Sequence, residues 1–412
     1  MLKILHVNYS DITGGAAIGV NRLHTALLKN GINSKLLVCD KKSNDNNVIG
    51  PTSTLELIVN QFKISLSRFA KKKLIKTNNK ETFSFNFFNT EIIKKINNYN
   101  SDIVHLHWIG NEMISIRQLK KINKPIVWSF WDMWPICGAE HHSYDFRCID
   151  GYNRSNRPNN EGGIDLNRYI WKYKKNNFNF DYTITAPSKW FYNIVKKSSL
   201  HKNKEIFHLP LNIDTSNWKP RNVELSKDFF KIKGDKKILL FGSATSTDNR
   251  KGFNFLVDLF KQKKFENCKL IIFGEKPKRI NEINIENQYI GRIKDVYSLN
   301  MIYSLSNILL MPSKIELFGQ IGLEANACGT PCVIFDNTGA TDYIKHMKNG
   351  YVSKHSDIED FTRGINWLLE DETRYKEISK NCHKHISENF DDKVISKKFI
   401  ELYKKIINLN SS

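Results

Sequence analysis

Two stretches of this chain open alike: a short apolar run ends in a glycine-bearing loop, and a helix-forming stretch follows. The first is residues 2–8, which run into Ser10-Asp11-Ile12-Thr13-Gly14-Gly15 ahead of a helical stretch at 16–30. The second is 237–241, which runs into Gly242-Ser243-Ala244-Thr245 ahead of 252–262. A strand that reads as a continuous apolar run must be buried on both faces, and alternation with helices makes the sheet parallel. Two such starts in 412 residues point to two α/β domains, since a domain takes roughly 100–200 residues.

The rest of the chain keeps the pattern. Strands are expected at 35–39, 102–108, 125–130 and 183–186, with helices at 91–99, 113–121 and 189–198, the last capped by Ser188. In the second half, strands fall at 269–273, 288–290, 307–311 and 332–335. Helices there fall at 294–305, 320–328, 357–370 and 373–389, and Asp342 begins one more short helix. The Pro-punctuated stretch around 209–236 is the expected seam. It separates domain 1–208 from domain 209–390, and a final helix over 391–412 is expected to pack back on the first domain. Residues 137–180 show no clear period and read as a long loop. Residues 43–90 place Phe62, Ile64, Leu66 and Phe69 beside Lys71-Lys72-Lys73. That segment is either a basic amphipathic helix on an anionic membrane surface or an ordinary surface helix.

The net charge of +21 fits a nucleic acid, an anionic membrane or a phosphate-rich substrate, or simply a lysine-decorated surface. No zinc-finger, RNA-recognition or basic-zipper pattern accompanies it, which argues against nucleic acid. No apolar run is long enough to span a bilayer, and the start of the chain reads as a strand and not as a secretory signal. The expected location is the cytoplasm or the inner membrane face. Seven scattered cysteines give no disulfide framework. Cys137, His141, His142 and Cys148 invite a zinc reading, but their spacing fits no common closed site, so no metal is expected.

In open parallel sheets, ligands bind outside the carboxyl ends of the strands. The richest such loop is Pro312-Ser313-Lys314-Ile315-Glu316-Leu317-Phe318-Gly319, followed by a helix that contains Glu324 and by Gly329-Thr330-Pro331. The amides around Gly319, Gln320 and Ile321 open a helix, where an anion is favoured. Glu316 and Glu324 can both turn toward that end and accept hydrogen bonds from hydroxyls, and the plainer alternative is a helix with exposed acids near its start.

This segment resembles the Glu-x7-Glu signature of retaining glycosyltransferases of family 4, a group with the GT-B fold. The resemblance extends to the flanking Pro-Ser and Glu-Ala-x-Ala-x-Gly-Thr-Pro. It implies two Rossmann-like domains facing a central cleft. It also implies sugar transfer, with retention, from a nucleotide-diphospho sugar to a glycan or lipid-linked glycan acceptor, with no metal or other cofactor. By the same resemblance, Glu316 contacts the donor sugar, Glu324 holds the ribose hydroxyls, and the amides of Gly319, Gln320 and Ile321 hold the diphosphate. Gly14-Gly15 looks like the family's first glycine loop, and Asn249-Arg250-Lys251-Gly252 like the element whose Lys neutralises the diphosphate. The family's usual Arg after the strand glycine is Ser243 here, a place that Arg250 can fill.

Asp102-Ile103-Val104-His105-Leu106-His107-Trp108 resembles the family's strand that ends at the cleft. A buried, satisfied histidine is the commoner reading of either imidazole, and His107 is the functional candidate. Asp132-Met133-Trp134-Pro135 with Gly138-Ala139-Glu140-His141 resembles a subgroup that assembles bacterial surface polysaccharides. The His that precedes the Asp in many relatives is Trp131 here. An acceptor-side role therefore falls to Asp132 or His141. A sugar-nucleotide epimerase, or another enzyme of the same fold such as a phosphorylase, is the alternative activity.

Overall fold

The computed structural model describes residues 1–77, 82–244 and 248–411. Thr245 of the second glycine loop and residues 78–81 of the basic segment lie outside the described residues. The chain divides into two units, Met1–Asn212 with Ile395–Ser412, and Ile213–Val394.

The first unit begins with β1 (Lys3–Ser10), α1 (Gly15–Lys29), β2 (Asn33–Asp40), β3 (Val48–Ile49), α2 (Thr54–Leu74) and β4 (Ile75–Lys76). Then come α3 (Ile92–Asn98), β5 (Ile103–Leu106), β6 (Ile126–Ser129) and β7 (Gly162–Gly163). It continues with α4 (Leu166–Asn177), β8 (Thr183–Ala186), α5 (Lys189–Lys197) and β9 (Ile206–His208). Its main sheet is parallel throughout, in the order β3-β2-β1-β5-β6-β8-β9. Every residue of β5 and β6 is buried, as expected of strands covered on both faces.

The second unit carries α6 (Val223–Phe229), β10 (Lys237–Ser243), α7 (Phe253–Gln262), β11 (Cys268–Gly274), β12 (Asn287–Tyr289) and α8 (Val296–Leu305). It goes on through β13 (Ile308–Met311), α9 (Gln320–Ala327), β14 (Cys332–Phe335), β15 (Gly350–Ser353), α10 (Ile358–Leu369) and α11 (Glu372–Asn389). The last helix, α12 (Asp392–Ser411), lies mostly in the first unit, where Tyr403 bonds His105 of β5. The second sheet is also parallel, in the order β12-β11-β10-β13-β14-β15, with a core of Leu239, Leu256, Leu270, Ile308, Val333 and Phe361 among others.

In both sheets the first strand of the unit lies at the switch in strand order, between β2 and β5 or between β11 and β13. The loops that leave β1, β5, β10 and β13 are therefore where each unit offers a crevice.

Several expectations need correction. Residues 113–121 form no α-helix; a 3₁₀ stretch covers only Ile116–Lys121, because Asn111 and Glu112 take left-handed backbone angles just before it. Asp342 ends a 3₁₀ turn (Gly339–Asp342) and begins no helix. The stretch 137–180 is no uninterrupted loop: α4 occupies part of it, capped by Asp165, which accepts from Arg168 N.

Candidate functional site

The second unit assembles its site from two neighbouring loops. Gly252 has φ +77°, and a Cβ there would stand 1.9 Å from the carbonyl oxygen of Pro312, so only glycine lets these loops touch. The contact is fastened by Lys314 N donating to Arg250 O at 2.7 Å. On that frame Lys251 Nζ reaches Glu316 Oε2 at 2.5 Å. Arg250 pairs instead with Asp248, Nη2 to Oδ2 2.7 Å.

Glu316 and Glu324 are 9% and 6% exposed, so the reading of exposed acids fails. Glu324 Oε2 accepts from the Tyr303 hydroxyl at 2.9 Å. The Tyr343 hydroxyl donates to Gly319 O at 2.6 Å, and Gly339 N donates to Glu316 O at 2.7 Å. Burial raises the Tyr343 pKa well above its ordinary value, and the nearby negative Glu316, Glu324 and Asp342 add to it. Both acids thus surround one neutral phenol against the start of α9. Tyr343 had no signal in the sequence; it comes 24 residues after the glycine it fixes.

The helix starts differ in kind. Asp295, Asp357, Asp371, Asn222 and Ser188 each cap a helix with a side-chain oxygen. In contrast, α1, α7 and α9 begin at Gly14, Gly252 and Gly319, with φ +93°, +77° and +89°, no side-chain cap and no acid in the first turn. A capping carboxylate would occupy the amides and repel an anion; a glycine leaves them to an incoming phosphate. Gln320 and Ile321 are the first residues of α9, and Gly14 and Gly15 are exposed at the start of α1.

In the first unit, His107 lies in a buried histidine cluster. The Trp131 indole donates to His107 Nδ1 at 2.9 Å, so His107 carries its proton on Nε2 and gives it to His6 Nδ1 at 2.8 Å. His6 Nε2 then bears a proton with no partner among the described residues. His6 lies in register with His105, whose nitrogens meet the Tyr403 hydroxyl and Ser129 Oγ, both at 2.7 Å. Burial first, then the neighbouring imidazoles, hold His6 and His107 well below the ordinary pKa, and burial takes His105 down to about 3. One ring nitrogen from each of the three lies within 4.8 Å of the others, but a metal there would have to displace these hydrogen bonds. Trp131 also covers Gly19 of α1, where a Cβ would meet its ring at 2.4 Å.

Beside this cluster, Asp132 and His141 are joined, Oδ2 to Nδ1. Asp132 Oδ2 also accepts from the Trp108 indole at 2.5 Å, and Asp132 Oδ1 from Trp134 N at 2.9 Å. His141 Nε2 meets Ser84 Oγ at 2.7 Å. The carboxylate therefore orients the imidazole, which faces a hydroxyl, in the manner of a Ser-His-Asp relay. His107, Trp108, Asp132 and His141 line a cavity of about 10 Å³, room for one water at most. Ser84 gave no sequence signal. Behind it, burial raises Glu140 to about 7 and lowers Lys174 to about 7. The Lys174 ammonium is held by Trp134 O, Cys137 O and Gly138 O.

The basic segment folds as α2, turned opposite to the usual sense. Leu55, Ile58, Val59, Phe62, Leu66 and Phe69 fall on one stripe at helical spacing, and that stripe is exposed, with Leu55 at 69% and Phe62 at 67%. The inward side is largely polar. Glu56 pairs with Lys95, Lys63 Nζ donates to Asn89 O, and Ser67 Oγ donates to Glu112. No helix among the described residues is long and apolar enough to cross a membrane.

Comparison with known proteins bears on the second unit first. Residues 222–385 match the family Glycosyl transferases group 1. The capsular polysaccharide biosynthesis glycosyltransferase CapM of Staphylococcus aureus is 25% identical over 190 residues, 44% of this chain and 50% of CapM. N-acetyl-alpha-D-glucosaminyl L-malate synthase of Bacillus anthracis is 25% identical over 148 residues, 34% of this chain and 38% of the synthase. The chain spans about half the length, or less, of these curated relatives. Among solved structures, sucrose-phosphate synthase of Thermosynechococcus elongatus covers 99% of this chain and 100% of its own, with TM-score 0.68 and 16% identity. HepE of Anabaena, solved with UDP and glucose, covers 98% and 100%, with TM-score 0.64 and 14% identity. These likenesses establish the fold, two parallel-sheet α/β units of the GT-B kind.

Proposed function

We propose that this chain is a glycosyltransferase that moves a sugar from a nucleotide-diphospho sugar to an acceptor hydroxyl with retention, in the assembly of a bacterial surface polysaccharide. The observation that carries this reading is the pair of uncapped, glycine-started helices α7 and α9 flanking the Lys251–Glu316 ion pair, with Glu324 alongside. The amides of Gly319, Gln320 and Ile321 would take the diphosphate, and the Lys251 ammonium would neutralise charge that grows on it as the glycosidic bond breaks. Glu316, released from Lys251 when the donor binds, would accept from a sugar hydroxyl, and Glu324, held by Tyr303, from the ribose. In the first unit, Gly14 and Gly15 offer the corresponding anion-binding start. Fixed cations and amides perform the charge neutralisation here, so the scheme calls for no metal.

Transfer breaks the bond between the anomeric carbon and the phosphate oxygen and forms one to the acceptor oxygen on the same face. The acceptor proton passes to the departing phosphate. On the acceptor side, the Asp132–His141 pair would orient that hydroxyl, with His107 behind it as a neutral wall. The acceptor is a glycan on a lipid carrier, met where the apolar stripe of α2 settles on an anionic membrane surface. A relative that assembles capsule, and HepE's complex with UDP and glucose, support this reading.

The test replaces Glu316 by Gln and screens UDP-, GDP- and ADP-sugars by thermal shift and by turnover. One nucleotide class should stabilise both proteins, while turnover of the variant falls by about 100-fold or more. Wild-type turnover by the Glu316→Gln protein would remove Glu316 from its role, and no shift with any nucleotide sugar would remove the function.

A further inference from the structure

Two buried thiols meet in the first unit: Cys137 and Cys148, on either side of His141 in sequence, lie within hydrogen-bonding reach of each other. Cys137 N donates to Met133 O at 2.9 Å, and Cys137 O accepts from Lys174 Nζ at 3.1 Å. Cys148 O accepts from Ser199 N and from Ser199 Oγ, both at 3.1 Å. Its own stretch is turned by Ile149 N donating to Phe146 O and Gly151 N to Arg147 O. Each sulfur is therefore carried on a fixed frame. His141, between them in sequence, is committed to Asp132 and Ser84.

A buried thiol is ordinarily inert, because the thiolate is the reacting form and burial opposes it. Burial, then the adjacent Cys148, holds the Cys137 thiol well above its usual range. What sets this pair apart is a way out for the proton. The Tyr152 hydroxyl lies within hydrogen-bonding reach of Cys137 and donates to Glu140 Oε1. Glu140 Oε2 accepts from Asn167 Nδ2, which fixes the carboxylate in place. Burial raises Glu140 to about 7, so it takes up a proton near neutrality, where an ordinary carboxylate does not. A phenol can accept from a thiol while it donates to an acid, so Cys137, Tyr152 and Glu140 form one relay.

The geometry points to Cys137 and Cys148 as a redox site that a peroxide closes to a disulfide, with Glu140 receiving the first proton through Tyr152. The Cys137 sulfur attacks one oxygen of hydrogen peroxide. The O–O bond breaks, and the proton held by Glu140 goes to the departing oxygen, which leaves a sulfenic acid and water. The Cys148 sulfur then attacks the sulfenic sulfur, the S–O bond breaks, and its proton leaves with that oxygen as a second water. One peroxide is reduced, two thiols are oxidised, and a thiol reductant reverses the link. A peroxide is small enough to suit a pair with no exposed sulfur. In a compartment kept reducing, such a pair closes only under oxidant and serves as a sensor. The link closes the loop 137–148, which carries Glu140 and His141. On the glycosyltransferase reading it therefore acts on the acceptor side, but its formation is measured without any sugar.

The test exposes the reduced full-length protein to hydrogen peroxide, alkylates the remaining thiols in denaturant and maps the tryptic peptides by mass. Trypsin cuts after Arg147, so Cys137 and Cys148 leave in separate peptides unless they are joined. The wild type should give these two peptides linked, with the loss of two hydrogen atoms, and dithiothreitol should separate them. Glu140→Gln and Tyr152→Phe should each slow formation of the link by about 10-fold or more, the scale of a lost proton acceptor. Peptides that stay separate, or a link between other cysteines in their place, would overturn the site. Unchanged rates in both relay variants would overturn the proton route. The peptide map is read on the wild type, so it decides the site even where a variant fails to fold.

Discussion

His201 gives the sharpest quantitative test of how the first unit is held together. It is fully buried in a turn after α5, with Phe130, Phe178 and Tyr182 at ring-centroid distances of 5.2, 5.9 and 6.0 Å. Neither ring nitrogen has a hydrogen-bond partner among the described residues. Burial, then the charges of Lys174 and Lys204, lower its pKa to about 3. The unfolded chain titrates near 6.5. The folded protein thus keeps this imidazole neutral while the unfolded chain takes up a proton as soon as the pH drops below about 6.5. The stability held by the neutral form is complete above that value. It is lost progressively as the pH falls toward 3, at about 1.4 kcal/mol per unit.

At pH 5, about 1.5 units below the unfolded value, the loss is about 2 kcal/mol from His201 alone, a large share of the roughly 5–15 kcal/mol that holds a domain together. A His201→Leu variant keeps an apolar group of similar size and removes the titration. Urea unfolding of wild type and variant, followed by tryptophan fluorescence at pH 8 and pH 5, gives two differences in unfolding free energy. Their difference should be about 2 kcal/mol in favour of the variant at pH 5, a midpoint shift of roughly 0.7–1 M for a urea dependence of about 2–3 kcal/mol/M. The pH dependence that remains in the variant includes His6, His24, His105, His107 and His385, which burial also depresses, and Lys174 and Glu140, which titrate at about 7 in the folded protein with opposite effects on stability. Parallel pH profiles for the two proteins would refute the claim that a neutral imidazole is being held in the core.

Two further outcomes concern the second unit. Lys251→Ala should weaken binding of the nucleotide sugar by about 10-fold in a calorimetric titration, the scale of one charge-assisted contact, and an unchanged affinity would show that the ammonium serves only Glu316. Gly252→Ala should destabilise the second unit by about 2 kcal/mol or more, because its Cβ would meet the Pro312 carbonyl at 1.9 Å in a left-handed backbone; a wild-type melting temperature would contradict that.

What could be read along the chain was whatever depends on near neighbours. The alternation of apolar runs with helices shows β1, α1, β10 and α9 because each is a local pattern, and Ser188 caps α5 through a bond of 3.1 Å to an amide three residues on. The short strands β9 and β15 escaped notice: three or four residues carry no period, and their pairing partners β8 and β14 supply the reason they exist. Helix α4 was lost for a different cause. Its buried positions include Asn167 and Lys174, which read as surface, and the ammonium is tolerated because three carbonyls reach it.

The site follows the same division. Glu316, Glu324 and the glycine start of α9 sit within one turn-and-helix segment and were legible together, whereas Lys251 meets Glu316 across 65 residues and needed the family resemblance to be singled out. In the first unit, Asp132 and His141 lie nine residues apart, but their union depends on Ser84 and Trp108, which arrive from other segments. Helix α2 shows why composition cannot settle such matters. Its apolar and basic residues suited a membrane helix, and slightly better an ordinary surface helix with its apolar side on the core. Only the tertiary bonds of Glu56, Lys63 and Ser67, which fasten the polar side inward, turn the apolar stripe out. Folding in water alone would favour the reverse orientation, and that is the ground on which a membrane seat for this helix is proposed.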